Sequence, residues 1–159
     1  FWLFEMNGDL GKTISDSDLF PNRNYEIETL LFKPGVSYLI SNQLKFDLNY
    51  QYKDKENKQA DFENLQSHNF GASGNWANEN KFNLIGSINY IINEFEGNAN
   101  SVVGYQMLEG LKAGKNMTWS LNFQKRIFKY LDLNLAYLGR KSEQNKAIHT
   151  GTVQLRASF

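Results

Sequence analysis

The sequence predicts an all-β protein, an antiparallel up-and-down transmembrane β-barrel with about eight strands in residues 1–159. Three observations carry that expectation. The apolar residues recur with a period of two along most of the chain, as one-faced strands require. The segment from His149 to Phe159 alternates almost without error, Gly151, Val153, Leu155, Ala157 and Phe159 against Thr150, Thr152, Gln154, Arg156 and Ser158. Its length and two-faced character fit a tilted strand with lipid on one side and water on the other, for which roughly 9–11 residues suffice. Finally, the connections between strands alternate strictly between short and long.

The strands can be drawn in order. The chain opens on Phe1-Trp2-Leu3-Phe4, already strand-like. Leu30, Phe32, Pro34, Val36, Tyr38 and Ile40 then oppose Lys33, Gly35 and Ser37. Pro34 cannot donate a ladder hydrogen bond, so a local bulge, eased by Gly35, is expected there, with an open edge as the alternative. The next strand is the clearest: Leu44, Phe46, Leu48, Tyr50 and Tyr52 are interleaved by Lys45, Asp47, Asn49, Gln51 and Lys53. A charge at nearly every second position excludes a strand buried on both faces. His68, Phe70, Ala72, Gly74 and Trp76 form the following stripe, and Phe82, Leu84, Gly86, Ile88, Tyr90 and Ile92 the one after, with Ile85 and Ile91 interrupting its polar face. Met117, Trp119, Leu121 and Phe123 and then Leu131, Leu133, Leu135 and Tyr137 complete the series before the terminal strand.

Ser41-Asn42, Asn78-Glu79-Asn80 and Phe128-Lys129 read as tight turns; Asn7 to Arg23, Asp54 to Glu63, Glu94 to Gly114 and Lys141 to Lys146 read as long polar loops. In an outer-membrane barrel short turns face the periplasm and long loops face outward. Phe159 then falls on the short-turn side. Tyr38, Trp76, Phe82 and Phe128 are expected near that side, and Tyr25, Tyr50, Tyr52, Tyr90 and Tyr137 near the other, as two interfacial girdles. Lys125 has the parity of the lipid face but stands close to a turn, within snorkelling distance of the interface.

The 17 basic and 17 acidic side chains balance, which gives no electrostatic support to nucleic-acid binding. Cysteine is absent, so disulfide staples and thiolate metal sites are excluded. No apolar run approaches a membrane helix, and the negative mean hydropathy is what alternating strands produce. An opening in mid-strand with neither a starting methionine nor a leader leads us to expect the C-terminal fragment of a longer barrel chain.

The stretch GLKAGKNMTWSLNFQKRIFKYLDLNLAYLGRKSEQNKAIHTGTVQLRASF, with its Asn-Met-Thr-Trp strand entry, Gly-Arg-Lys-Ser strand exit and His-Thr-Gly lead into the last strand, resembles the closing strands of large outer-membrane barrel proteins of Bacteroidetes-type bacteria. The resemblance covers the last third of the chain. It implies a Gram-negative outer-membrane location and transfers one site, the assembly signal Val153, Leu155, Ala157 and Phe159, which the barrel assembly machinery would read. Outer-membrane lipid and other subunits of an outer-membrane complex are the further expected partners.

Parity places Lys33, Lys45, Asp47, Gln51, Lys53, Gln124, Asp132, Arg140, Gln154 and Arg156 towards a lumen, Asp132 beside Arg156. If eight strands close alone, side chains nearly fill the interior; with more strands the same residues line water or a plug. No catalytic, cofactor or metal site is expected. Ser67 and His68 have opposite parity and His149 is followed on its face by Gly151, so neither histidine heads a hydrolase triad. Asp16, Asp18 and Asn22 offer oxygen ligands without the spacing of a calcium loop. The expected function is the C-terminal part of a transport, secretion or assembly component. The alternatives are a small structural membrane anchor for a partner complex, and a soluble lipocalin-like barrel with Leu44, Phe46, Leu48 and Tyr50 turned inward around an apolar ligand.

Overall fold

The computed structural model describes residues 1–20, 24–59, 63–78, 81–128, 130–143 and 145–157. Eight strands form one antiparallel sheet in chain order: β1 (Trp2–Ser15), β2 (Tyr25–Ser41), β3 (Leu44–Asn57), β4 (Asn64–Asn78), β5 (Phe82–Glu96), β6 (Gly114–Phe128), β7 (Leu131–Ser142) and β8 (Ile148–Ala157). Each strand pairs with its sequence neighbour, so the up-and-down order expected from the turns holds. Among the described residues β1 pairs only with β2 and β8 only with β7. The sheet is therefore open, with two free edges.

Several strands outrun their apolar stripes. β1 continues to Ser15 where a loop from Asn7 was expected, β3 to Asn57 and β5 to Glu96. The physical reason is that a ladder is held by backbone hydrogen bonds. Once the first pairs are set, polar side chains such as Asp54, Lys55 and Glu56 extend it provided the neighbour also stays extended. The bulge expected at Pro34 is absent. The β2/β3 ladder runs from Phe32↔Tyr52 to Gly35↔Asn49 in unchanged register, passing over the proline without inserting a residue. The register shifts that do occur lie between Leu39 and Ser41 and between Arg126 and Phe128, both beside short turns.

The long connection after β5 is not wholly irregular. It holds helix α1 (Val102–Leu108), whose N-cap Ser101 accepts a hydrogen bond from Gly104 N. Val103, Met107 and Leu108 are buried together with Ile27 and Leu65, with Tyr25 and Phe95 packed alongside. This small cluster lies on the face of the sheet that also carries Lys53, Ser67 and Asn93, because Ile27 pairs with Asn57 and Leu65 with both Lys55 and Phe95. Tyr25 therefore belongs to the interior cluster rather than to the girdle in which its aromatic character had placed it.

The hairpins are staggered. Leu44, Trp76, Leu84, Phe123 and Leu135 form one row straight across the ladders. Leu44 is in the closing pair of its turn, Leu84 stands two residues above the closing pair Asn78↔Phe82, and Leu135 four above Phe128↔Leu131. A drift of one residue per strand, about 3.3 Å against a strand spacing of about 4.8 Å, inclines the strands by about 35° to the line of turns.

Candidate functional site

The ladder sorts the side chains into two faces. One carries Leu30 to Ile40 of β2, Leu44 to Tyr52 of β3, His68 to Trp76 of β4 and Phe82 to Ile92 of β5 at alternate positions, continued by Met117 to Phe123, Leu131 to Tyr137 and Val153 to Ala157. The other carries Asn, Ser, Thr, Gln, Lys and Asp. Burial runs opposite to polarity in the middle of the sheet: Leu48 is 58% exposed, whereas Ser37 on the polar face is 5% exposed. Ser37 Oγ donates to Asp47, which also forms an ion pair with Lys45 Nζ at 2.7 Å.

All ten polar candidates fall on that one face, but they do not converge. Lys45 and Asp47 form one group, and Lys53 joins α1. Gln124, Asp132, Gln154 and Arg156 lie together near the short turns of β6–β8, around a concavity of about 650 Å³. Lys33 and Gln51 occupy other rows of the sheet, and Arg140 sits opposite Ile148 towards the far end. Asp132 is paired in register with Arg156, as expected, while its carboxylate is bonded to Arg126. Val153, Leu155 and Ala157 are opposite Leu135, Leu133 and Leu131 on the apolar face and are exposed. Phe159 lies outside the described residues.

The polar face is covered at its long-loop end by α1. Ser101 Oγ donates to Glu63 at 2.8 Å at the start of the helix. At its end Glu109 adopts φ 54° and ψ 37°, a left-handed cap that glycine usually supplies. Lys53 Nζ and Lys55 Nζ reach the Glu109 carboxylate at 2.7 and 2.8 Å, and Lys55 also donates to Met107 O. Partial burial alone would raise the Glu109 pKa; hydrogen bonds from the two lysines outweigh it and hold the group below its ordinary value. The return to β6 is pinned by Asn93 and Asn116, whose amides both donate to Lys112 O. Sequence analysis missed this assembly. Its signals were the serine cap and the apolar spacing of Val103, Met107 and Leu108 in a stretch otherwise rich in Gly and Asn.

On the apolar face the two histidines share one arrangement. Tyr50 Oη lies 2.7 Å from His68 Nδ1, and Tyr137 Oη lies 2.7 Å from His149 Nδ1. In each pair the tyrosine is diagonal to the histidine across the ladder. Among the described residues neither histidine is bonded to a serine. Asp16 Oδ1 accepts from Asn24 Nδ2, Asn22 lies outside the described residues, and no cluster of metal-binding side chains occurs among those described.

These features define an all-β antiparallel sheet with an exposed apolar face and a polar face partly covered by a helix. The chain matches no protein-family model, no curated protein sequence and no solved structure.

Proposed function

We propose that this chain is part of an integral outer-membrane β-barrel, the C-terminal part of a transport, secretion or assembly component of a Gram-negative, Bacteroidetes-type bacterium. The observation that carries the reading is the inverted burial: an apolar face across the strands exposed while the polar face is the more enclosed one. Lipid is the medium that removes the cost of exposing Phe46, Leu48, Phe70 and Leu121 together, since an apolar patch of this extent is unfavourable in water. The apolar stripe of nine to eleven residues in β2–β5 matches a tilted crossing, and the inclination of about 35° falls in the range of membrane barrels. The polar face then lines the lumen, and α1 folds in from the outer mouth. The free edges of β1 and β8 close by pairing with further strands.

The three tryptophans, Trp2, Trp76 and Trp119, all lie on the apolar face. Their fluorescence should be quenched when the refolded protein is reconstituted into vesicles of phosphatidylcholine brominated on its acyl chains. A protein that stays in the aqueous phase, unquenched and free of detergent, would instead be the soluble fold.

A further inference from the structure

The concavity at the short-turn end of the polar face has an ordered lining. Asn83, Gln124, Asn134 and Gln154 form one row straight across β5–β8, each directly opposite the next. The adjoining row is Arg126, Asp132 and Arg156. Four neighbouring amides could bond one another along such a row, since each both donates and accepts. Here the Asn83 and Asn134 side-chain oxygens are buried without a hydrogen-bond partner in the protein, so no bond to those oxygens opposes a half-turn of either amide, which would turn its oxygen out of that place. The charged row is unbalanced as well. Asp132 is engaged by Arg126 at 3.1 Å, and Arg156 makes no ion pair among the described residues. With Lys81 at the rim, the polar-face side chains of the lining hold three cations against one carboxylate.

We infer that this concavity binds a hydroxylated anion, a sugar acid or sugar phosphate, with the amide row bonded to the hydroxyls and Arg156 to the anionic group. Amides both donate and accept, which suits hydroxyl groups that do the same. A guanidinium offers two parallel donors to a carboxylate or phosphate. The volume of about 650 Å³ lies within the range of small-molecule sites. The inference rests on the proposed barrel for its meaning, as a station for solute at the inner end of the lumen, but the two polar rows of the site come from β5–β8, with Ala77 and Asn78 at the end of β4 completing the lining.

Isothermal titration of the full chain, refolded in detergent, with glucuronate, glucose 6-phosphate and glucose tests it. One or both anions should bind at least tenfold more tightly than glucose, and whichever does identifies the anionic group. Arg156→Gln should abolish that preference, and Asn134→Ala should weaken glucose and the anions alike. Lys141→Gln on the apolar face should change neither. Arg156 is exposed on an edge strand, so its substitution leaves folding intact, and the β-sheet circular dichroism checks this. Anions no tighter than glucose, or an Arg156→Gln protein that keeps the preference, would overturn the inference. The brominated-lipid experiment on the same preparation reports separately on the barrel, so binding without membrane insertion, or insertion without binding, separates the two.

Discussion

Asp132 stands directly opposite Arg156 in the β7/β8 ladder, but its carboxylate is bonded to Arg126 Nε on the other side, at 3.1 Å. Both partners of that ion pair are about half exposed, 60% and 47%. Solvent screening therefore limits its contribution to about 0.5 kcal/mol. A double-mutant cycle on Arg126→Gln and Asp132→Asn, read by denaturant unfolding, should give a coupling of that size. The Asp132–Arg156 cycle should give a coupling near zero, and a larger value there would mean that the carboxylate is shared.

Met107, on the sheet-facing side of α1, is fully buried in the cluster with Ile27 and Leu65. Met107→Ala removes most of that contact and should weaken docking of the helix by about 2–4 kcal/mol. Hydrogen exchange at residues 102–108 should accelerate strongly while the β3/β4 ladder keeps its protection. Uniform acceleration of both would show that the helix and sheet unfold as one unit.

Lowering the pH should loosen α1. The folded-state pKa of Glu109 lies below its ordinary value of 4.5, so its interaction with Lys53 and Lys55 is fully present above that value and is lost as the pH falls through the depressed one. Exchange protection of α1 should therefore decline from about pH 4.5 downward. Glu109→Gln should remove this dependence. A wild-type profile flat from pH 6 to 3 would contradict it.

Gly139 lies under the indole of Trp119, where an added Cβ would come within 2.0 Å of Trp119 Cε2. Gly139→Val forces the ring aside, away from His149 at 5.7 Å, and should cost about 1–3 kcal/mol as overpacking does. The near-ultraviolet circular dichroism should lose intensity. A variant with unchanged spectrum and stability would show that the indole has room to move.

On the proposed outer-membrane reading, deleting Phe159 should harm membrane assembly in cells more than stability in detergent, because one terminal aromatic ring contributes only ~1–2 kcal/mol to a finished sheet while a residue of an assembly signal acts on the unfolded chain. Heat-modifiable, membrane-inserted protein from the two genes, compared with refolding yields in detergent, measures both. Equal insertion in cells would remove the assembly-signal role.

Much of the sheet was legible because its code is local. Alternation at Leu44–Lys53 and His149–Ala157 assigns faces directly, since a strand turns its side chains through a half-turn per residue. The strict alternation of short and long connections then orders the strands. That is why all ten polar candidates fell on one face, and why Asp132 and Arg156 came out opposite each other. What the sequence could not determine depends on partners distant in the chain. The strand extensions at Thr13 and Lys55 exist because a neighbour supplies backbone hydrogen bonds, to which side-chain polarity is nearly irrelevant. The inward turn of Tyr25 and the docking of α1 require Ile27, Leu65 and Met107, separated by dozens of residues, to meet. The choice of Arg126 over Arg156 by Asp132 is a matter of side-chain reach across two ladders of equal register, and only the tertiary structure decides between them.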